Sequence, residues 1–257
     1  MHADLTIPFP TLIAFAMVLA RITGAFAFVP MPVKEAGPGI ARVVLSLAAT
    51  IALYPVWPNM ATTEVSLGLF AVWMLSEAAL GLAIGVAVSL ISEGLTFGAH
   101  ILALQAGFGY ASIVDPTTQA DSDVLPVMAQ LLAGLFFFSM GLHRMVISAF
   151  AFSLTKYPPG AYVVTEDAAQ AIIRLSASLF AAGVRLAFPI VALLFMAEVA
   201  LALLGRVNSH LHISSQSFPL KILLTLMVLG SVLLVAPDLY SSYADAAFRT
   251  IRGSILR

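Results

Sequence analysis

The feature that most constrains this chain is an apolar run that begins near Ser66 and continues almost to Tyr110. As one helix it would extend about 67 Å at 1.5 Å per residue, more than twice a hydrocarbon core of ~30 Å. It must break, project far out of a membrane, or turn back as a hairpin, and the triplet Ser92-Glu93-Gly94 is where a break is expected. Inside the run, Glu77, Gly81, Gly85, Ser89 and Glu93 recur every four residues. On a helix they form one ridge that drifts slowly round the axis. Small residues on a ridge admit a second backbone, and two carboxylates are poorly tolerated by lipid. The segment needs protein neighbours.

Composition places the whole chain in the same environment. Its 257 residues are 61% hydrophobic and only 10% charged, with a mean hydropathy of +1.02, whereas a soluble domain carries roughly 25% charged residues. The expectation is an integral membrane protein forming a single domain over 1–257, with a basic tail over 240–257. A net charge of −1 argues neither for nucleic acid nor for a polybasic membrane surface. With no cysteine there is no disulfide framework, thiolate metal site or cysteine nucleophile. Ala25-Phe26-Ala27 looks like a small-x-small cleavage site, but Arg21 lies inside the apolar run and Asp4 occupies the place of a positive n-region. The N-terminal segment is therefore expected to stay.

Taken in order, the sequence gives about six apolar segments and an all-α fold of membrane-associated hairpins. Segment one spans about Thr11 to Val29, after Pro8 and Pro10, where missing donors are harmless. Segment two runs from about Ile40 to Tyr54 and is short for a bilayer span. Segment three is the long run. Segment four covers about Leu125 to Leu154, segment five about Ala168 to Leu204 with Pro189 placed to kink it, and segment six Pro219 to Val235, closed by Pro237. Lysine and arginine are scarce in the loops and cluster only in the tail, which favours a cytoplasmic C-terminus. No internal repeat is strong enough to support an inverted-repeat transporter.

Charges inside these segments need partners. Arg21, Arg42, Arg144, Arg174, Arg185 and Lys221 face only Glu77, Glu93 and Glu198. A charge at the bilayer centre costs ~3 kcal/mol on insertion scales, so the surplus cations must snorkel, face water, bind helix C-terminal carbonyls or meet acids on another chain. Arg42, Lys221 and Arg174 suit interfaces; Arg21, Arg185, Glu77 and Glu198 suit burial in protein contacts. His143, beside Arg144, reads as a packing residue, with a proton relay as the alternative. A secondary transporter or proton channel using Glu77, Glu198 and His143 stands as a competing function. An enzyme has no motif behind it: no HExxH pair, Gly-x-Ser-x-Gly elbow or phosphate loop occurs. No cofactor is expected, and His210 with His212 in a polar loop makes a poor metal site.

One run is more specific than the rest: Leu104-Gln105-Ala106-Gly107-Phe108-Gly109-Tyr110-Ala111-Ser112-Ile113-Val114-Asp115-Pro116. Pro126 and Gly141-Leu142-His143 follow at suitable distance. Arg21, Gly24, Pro30 and Arg42 precede it, as does the Glu77–Gly81–Gly85 ridge. Ser153 with Pro158, Gly183 with Pro189, Gly205-Arg206 and Phe218-Pro219-Leu220-Lys221 complete the pattern. Over nearly its whole length the chain resembles the FliR family of flagellar biosynthetic proteins of the type III export gate, and more distantly their injectisome (SctT-like) counterparts. Two stretches depart from that pattern: Ala99-His100 stands where the family often has Gly-Glu, and Val207–Ser214 replaces a Pro-Gln…Asn-x-Phe element.

The resemblance implies a non-enzymatic subunit in the bacterial inner membrane at the flagellar basal body. It implies assembly as a single copy with FliP- and FliQ-like subunits, beside FlhB-like and FlhA-like export proteins, around a pore for unfolded flagellar substrates. Membrane lipid is implied as a contact and nucleic acid is not. The loop from Gly107 to about Ser122 would plug the pore, and its residues fit that part. Phe108, Tyr110, Ile113 and Val114 can fill a narrow opening without charge, Gly107 and Gly109 permit movement, and Pro116 biases Asp115 toward an extended anchor. Arg21, Glu77, Gly81, Gly85, Glu93, His143, Arg144, Arg185 and Glu198 are the expected subunit and helix contacts.

Overall fold

The structure is a computed structural model that describes residues 8–29, 38–57, 66–108, 124–163, 165–207 and 213–256. Among these residues every regular element is helical. The order is α1 (Phe9–Phe26), α2 (Pro38–Ala52), a 3-10 turn (Tyr54–Val56), α3 (Leu67–Ala106), α4 (Val124–Ser139), α5 (Leu142–Lys156), α6 (Glu166–Val207) and α7 (Ile213–Thr250), followed by a π-helical turn (Ile251–Ile255). Three of them, α1, α3 and α6, are long and apolar enough to cross a membrane. The number is five if the bent pairs Val124–Ser139 with Leu142–Lys156 and Pro219–Ser231 with Leu233–Ile255 each count as one span. The all-α fold of membrane-type helical hairpins is what the hydropathy pattern predicts.

Local chemistry explains the helix ends. Pro8 caps α1 in an extended conformation (φ −60°, ψ 136°), and Pro10 falls in the first turn, where no donor is needed. The Thr165 hydroxyl accepts from the Ala168 amide at 3.2 Å, and Glu166 and Asp167 fill the first turn of α6, favourable beside the helix dipole. Helix α3 closes at Gly107, with φ +85°. There the amide of Phe108 donates to Ala103 O at 3.1 Å and that of Gly107 to Leu104 O at 3.3 Å, the paired bonds of a glycine C-terminal cap.

Three expectations about breaks are corrected. Helix α3 runs unbroken for 40 residues, about 60 Å, straight through Ser92-Glu93-Gly94. A helical glycine costs only ~1 kcal/mol, and here both small residues are used in packing. The Ser92 and Tyr240 hydroxyls meet at 3.1 Å, and Gly94 lies against the backbone of Leu179. Segment four is instead two helices, because Gly141 takes φ +73°, a left-handed conformation that cannot continue a right-handed helix. Segment six does not stop at Pro237: α7 holds Pro219 and Pro237 within it and continues into the tail. The residues flanking Pro237 hold it in place, since Ala236 and Tyr240 are buried and the Tyr240 ring packs on Phe136 at 5.6 Å.

The chain forms two compact units. The first comprises Met1–Leu90, Phe137–Ser176 and Ala244–Arg257, the second Ile91–Phe136 and Ala177–Tyr243. In the first, Met17, Val18 and Ile22 of α1, Leu80 and Ile84 of α3, and Phe150 of α5 are fully buried or nearly so. The tail contributes Ala244, Ala247, Phe248, Ile251 and Ile255 to that core, a helical i, i+3, i+4, i+7, i+11 row, while Arg249 and Arg252 stay exposed. In the second unit, Leu102, Ala103 and Ala106 of α3 pack with Leu125 of α4 and with Ala187, Ile190 and Leu194 of α6. Helices α3 and α6 approach closely at glycines: Gly183 faces Gly94 O and Gly98 faces Gly183 O.

Candidate functional site

The most built polar feature is a buried ion pair in the first unit. Arg21 on α1 and Glu77 on α3 are both 0% exposed, and Arg21 Nε donates to Glu77 Oε2 at 2.5 Å. The other two nitrogens of the guanidinium are also used, one donating to Ser153 Oγ at 3.1 Å and the other to Tyr157 O at 2.9 Å. Glu77 Oε1 accepts a hydrogen bond from the amide of Gly160 at 2.9 Å, and the Ser153 hydroxyl donates to Phe150 O at 2.8 Å. Two charges withdrawn from solvent are strongly unfavourable unless every donor and acceptor finds a partner. Here the planar fork of arginine matches three acceptors from three parts of the chain.

Glycine makes this pairing possible. Alpha-carbons of Gly24, Gly81 and Gly85 lie where α1 and α3 cross in parallel. A Cβ at Gly81 would overlap the carbonyl of Arg21, one at Gly85 the carbonyl of Ala25, and one at Gly24 would lie 2.6 Å from Ala78 O. Backbones that approach this closely need small residues on both sides, and the approach brings Arg21 within reach of Glu77, one turn before Gly81. The network also holds the Tyr157–Gly160 turn after α5. Gly160 has φ +85°, and a Cβ there would lie 2.9 Å from the Trp73 ring.

The structure thus places the ridge Glu77–Gly81–Gly85 against this chain's own α1, as a helix contact. The ridge fades along α3: Ser89 is half-buried and Glu93 is exposed. Of the remaining contact candidates, Glu198 on α6 is half-exposed and takes a 2.9 Å ion pair from the largely buried Lys221 on α7. Arg144 and Arg185 are exposed and form no ion pair with the described residues. His143 sits beside the Phe138 ring at 5.7 Å, and its Nδ1 is buried without a hydrogen-bond partner among the described residues. Glu77, Glu198 and His143, the residues of the proton-relay alternative, share no hydrogen bond among the described residues: the first is held by Arg21 and Gly160, the second by Lys221. No group of three His, Asp or Glu that could hold a metal ion occurs among the described residues.

Of the expected plug, Gly107 and Phe108 are described; Gly109, Tyr110, Ile113, Val114, Asp115 and Pro116 lie outside the described residues. Gly107 is not a point of free movement, because its left-handed conformation closes α3. Phe108 leaves the helix and packs against the second-unit core around Leu102 and Leu125. Both stems of the 109–123 segment are therefore fixed in one apolar cluster, Ala106 on one side and Leu125 on the other. Sequence reasoning gave Ser153 no role in the ion pair and missed Gly160 and the carbonyl of Tyr157. The signal available was a matched one: Arg21 with Gly24, and Glu77 with Gly81 and Gly85, put a charge and small residues on one face of each helix.

The sequence matches the family described as bacterial export proteins, family 1, over residues 12–247. Similar curated proteins include the flagellar biosynthetic protein FliR of Pectobacterium carotovorum subsp. carotovorum, 29% identical over 87% of this chain and 84% of the relative. FliR of Caulobacter vibrioides is 26% identical over 90% of this chain and 94% of its own. The Yop proteins translocation protein T of Yersinia pestis is 24% identical over 82% of each. A match that runs through both units, from α1 to within the last turns of α7, takes in the Arg21–Glu77 network and both stems of the loop. The chain belongs to the family of bacterial export proteins, family 1.

Proposed function

We propose that this chain is a core subunit of the flagellar type III protein export gate, in the bacterial inner membrane at the flagellar basal body. Its 1–257 length acts as one export-gate domain and not as an enzyme. The observation that carries the reading is family membership over residues 12–247, together with flagellar FliR relatives that align over most of both chains. Assembly with FliP- and FliQ-like subunits, and work beside FlhB-like and FlhA-like proteins, give the exposed apolar surface of α6 and α7 its use. Phe188, Phe195, Met196, Leu203 and Met227 are each 59% exposed or more, and such surface requires lipid or protein cover. Service to an injectisome is the second reading, supported by the lower-identity likeness to the Yersinia protein.

In this reading the 107–122 loop, held at both stems, blocks the conduit until substrate passes. Shortening it while keeping Gly107, Phe108 and Val124 is expected to leave an assembled complex that leaks small ions. Ion flux across vesicles containing the purified complex checks this, and permeability equal to that of the unaltered complex counts against the plug.

A further inference from the structure

We infer that α7 is built to take two positions: a hinge at Gly230–Leu233 lets it pass between its bent form and a straighter one, in which Leu229 and Leu233 close an apolar cavity beneath the bend. The helix bends by 58° between Ser231 and Leu233, and a bend that sharp needs a cause in the hydrogen-bond ladder. Pro237 supplies it. Its nitrogen has no proton to give Leu233 O, four residues back, and its ring crowds that carbonyl. Just before the bend stand Gly230 and Ser231. Nothing lies within 4 Å of the Cβ that alanine would add at Gly230. Packing therefore does not call for glycine there, whereas a loosened backbone does.

The surroundings are those of a hinge: held on either side and open between. Before the bend Lys221 and Thr225 are buried, and Lys221 meets Glu198 of α6 at 2.9 Å. After it Ala236 and Tyr240 are buried, and the Tyr240 hydroxyl meets that of Ser92 at 3.1 Å. Between these anchors Gly230, Ser231, Leu233, Leu234 and Val235 are all exposed. The cavity has about 30 Å³ of free space and is lined by Leu95 and Ala99 of α3, Ala129 and Leu132 of α4, and Leu229 and Leu233 of α7, among other Leu, Ala and Met side chains. That is room for a water, but the lining side chains offer it no hydrogen bond. Side chains facing such a gap forfeit dispersion contacts that a small shift restores. Straightening α7 restores them, and the ring of Pro237 opposes it, so the two forms compete.

The absence of cysteine permits a pair of spin labels at Leu220→Cys and Ser242→Cys, both exposed positions, in the full chain assembled with cysteine-free partners. Across that span a straight helix measures about 33 Å and one bent by 58° about 29 Å. Pulsed dipolar spectroscopy is expected to find both distances in the parent chain. Ala129→Val fills the cavity from α4 and is expected to shift the population to the shorter distance. Gly230→Ala with Pro237→Ala restores the ladder and is expected to shift it to the longer one. A single distance in the parent overturns the hinge whatever the variants do. A parent with both distances whose populations stay put in the two variants, or move the same way in both, overturns it too. These distances report on the geometry of α7 itself and stand whether or not the chain serves an export gate.

Discussion

Substituting Glu77→Gln is expected to destabilise the first unit by ~3–5 kcal/mol, the cost of leaving one member of a buried ion pair without its counter-charge. Arg21 would keep Ser153 and Tyr157 O as acceptors but hold a full positive charge at a site with no solvent. The amide of Gly160 could still donate to the amide oxygen of glutamine, so the loss is one of charge and not of shape. The expected readouts are a sharp fall in chain recovered from membranes and a lower melting temperature of the purified complex. The double change Arg21→Met with Glu77→Leu is expected to recover part of the loss, because removing both charges relieves the desolvation cost. Recovery stops short of full, since Gly160 N and Tyr157 O are left unpaired at ~1–3 kcal/mol each. A single variant as stable as the parent would mean that the pair is not buried in the assembled protein.

Gly81→Val is expected to prevent α1 and α3 from packing at all. The overlap is with the carbonyl group of Arg21, a backbone atom that cannot rotate away. Overpacking usually costs ~1–3 kcal/mol where side chains can yield; here the helices must separate, and the Arg21–Glu77 bond is lost with them. Gly230→Ala supplies the control, because nothing lies within 4 Å of the Cβ it would add and alanine suits a helix interior better. Limited proteolysis and thermal melting should separate the two: rapid cleavage for Gly81→Val, unchanged or slightly raised resistance for Gly230→Ala. Equal behaviour would remove the glycine seam from the account.

Much of the architecture was legible because hydropathy and small-residue spacing act locally. The six apolar segments, the proline-led start of α1 and the ridge on α3 all follow from residues within a few turns of one another. What escaped was non-local or conformational. The unbroken passage of α3 through Ser92-Glu93-Gly94 depends on Tyr240 and Leu179, distant in sequence, which use the serine and glycine for packing. The break at Gly141 depends on a backbone angle that glycine permits without requiring. Continuation of α7 past Pro237 depends on burial of Ala236 and Tyr240.

The charges show the same division. Six cations and three acids can be counted from the sequence, and their number implies pairing. Which pairs form depends on which helices cross: Arg21 with Glu77 across 56 residues, and Lys221 with Glu198 on two later helices. The pattern places Arg21 and Glu77 in protein contacts without choosing between this chain's own helices and a neighbour's. The close approach that brings them together within one chain is visible only once Gly24, Gly81 and Gly85 are seen at a single crossing.

The central claim is that unfolded protein passes a pore lined in part by this chain, beside the 107–122 loop. A photo-activated cross-linker at Tyr110, in an assembled gate holding a stalled export substrate, tests it most directly. The account predicts a covalent adduct between the chain and the substrate that disappears when the substrate is allowed to clear. Labelling of lipid alone, with no adduct to the stalled substrate, would contradict it.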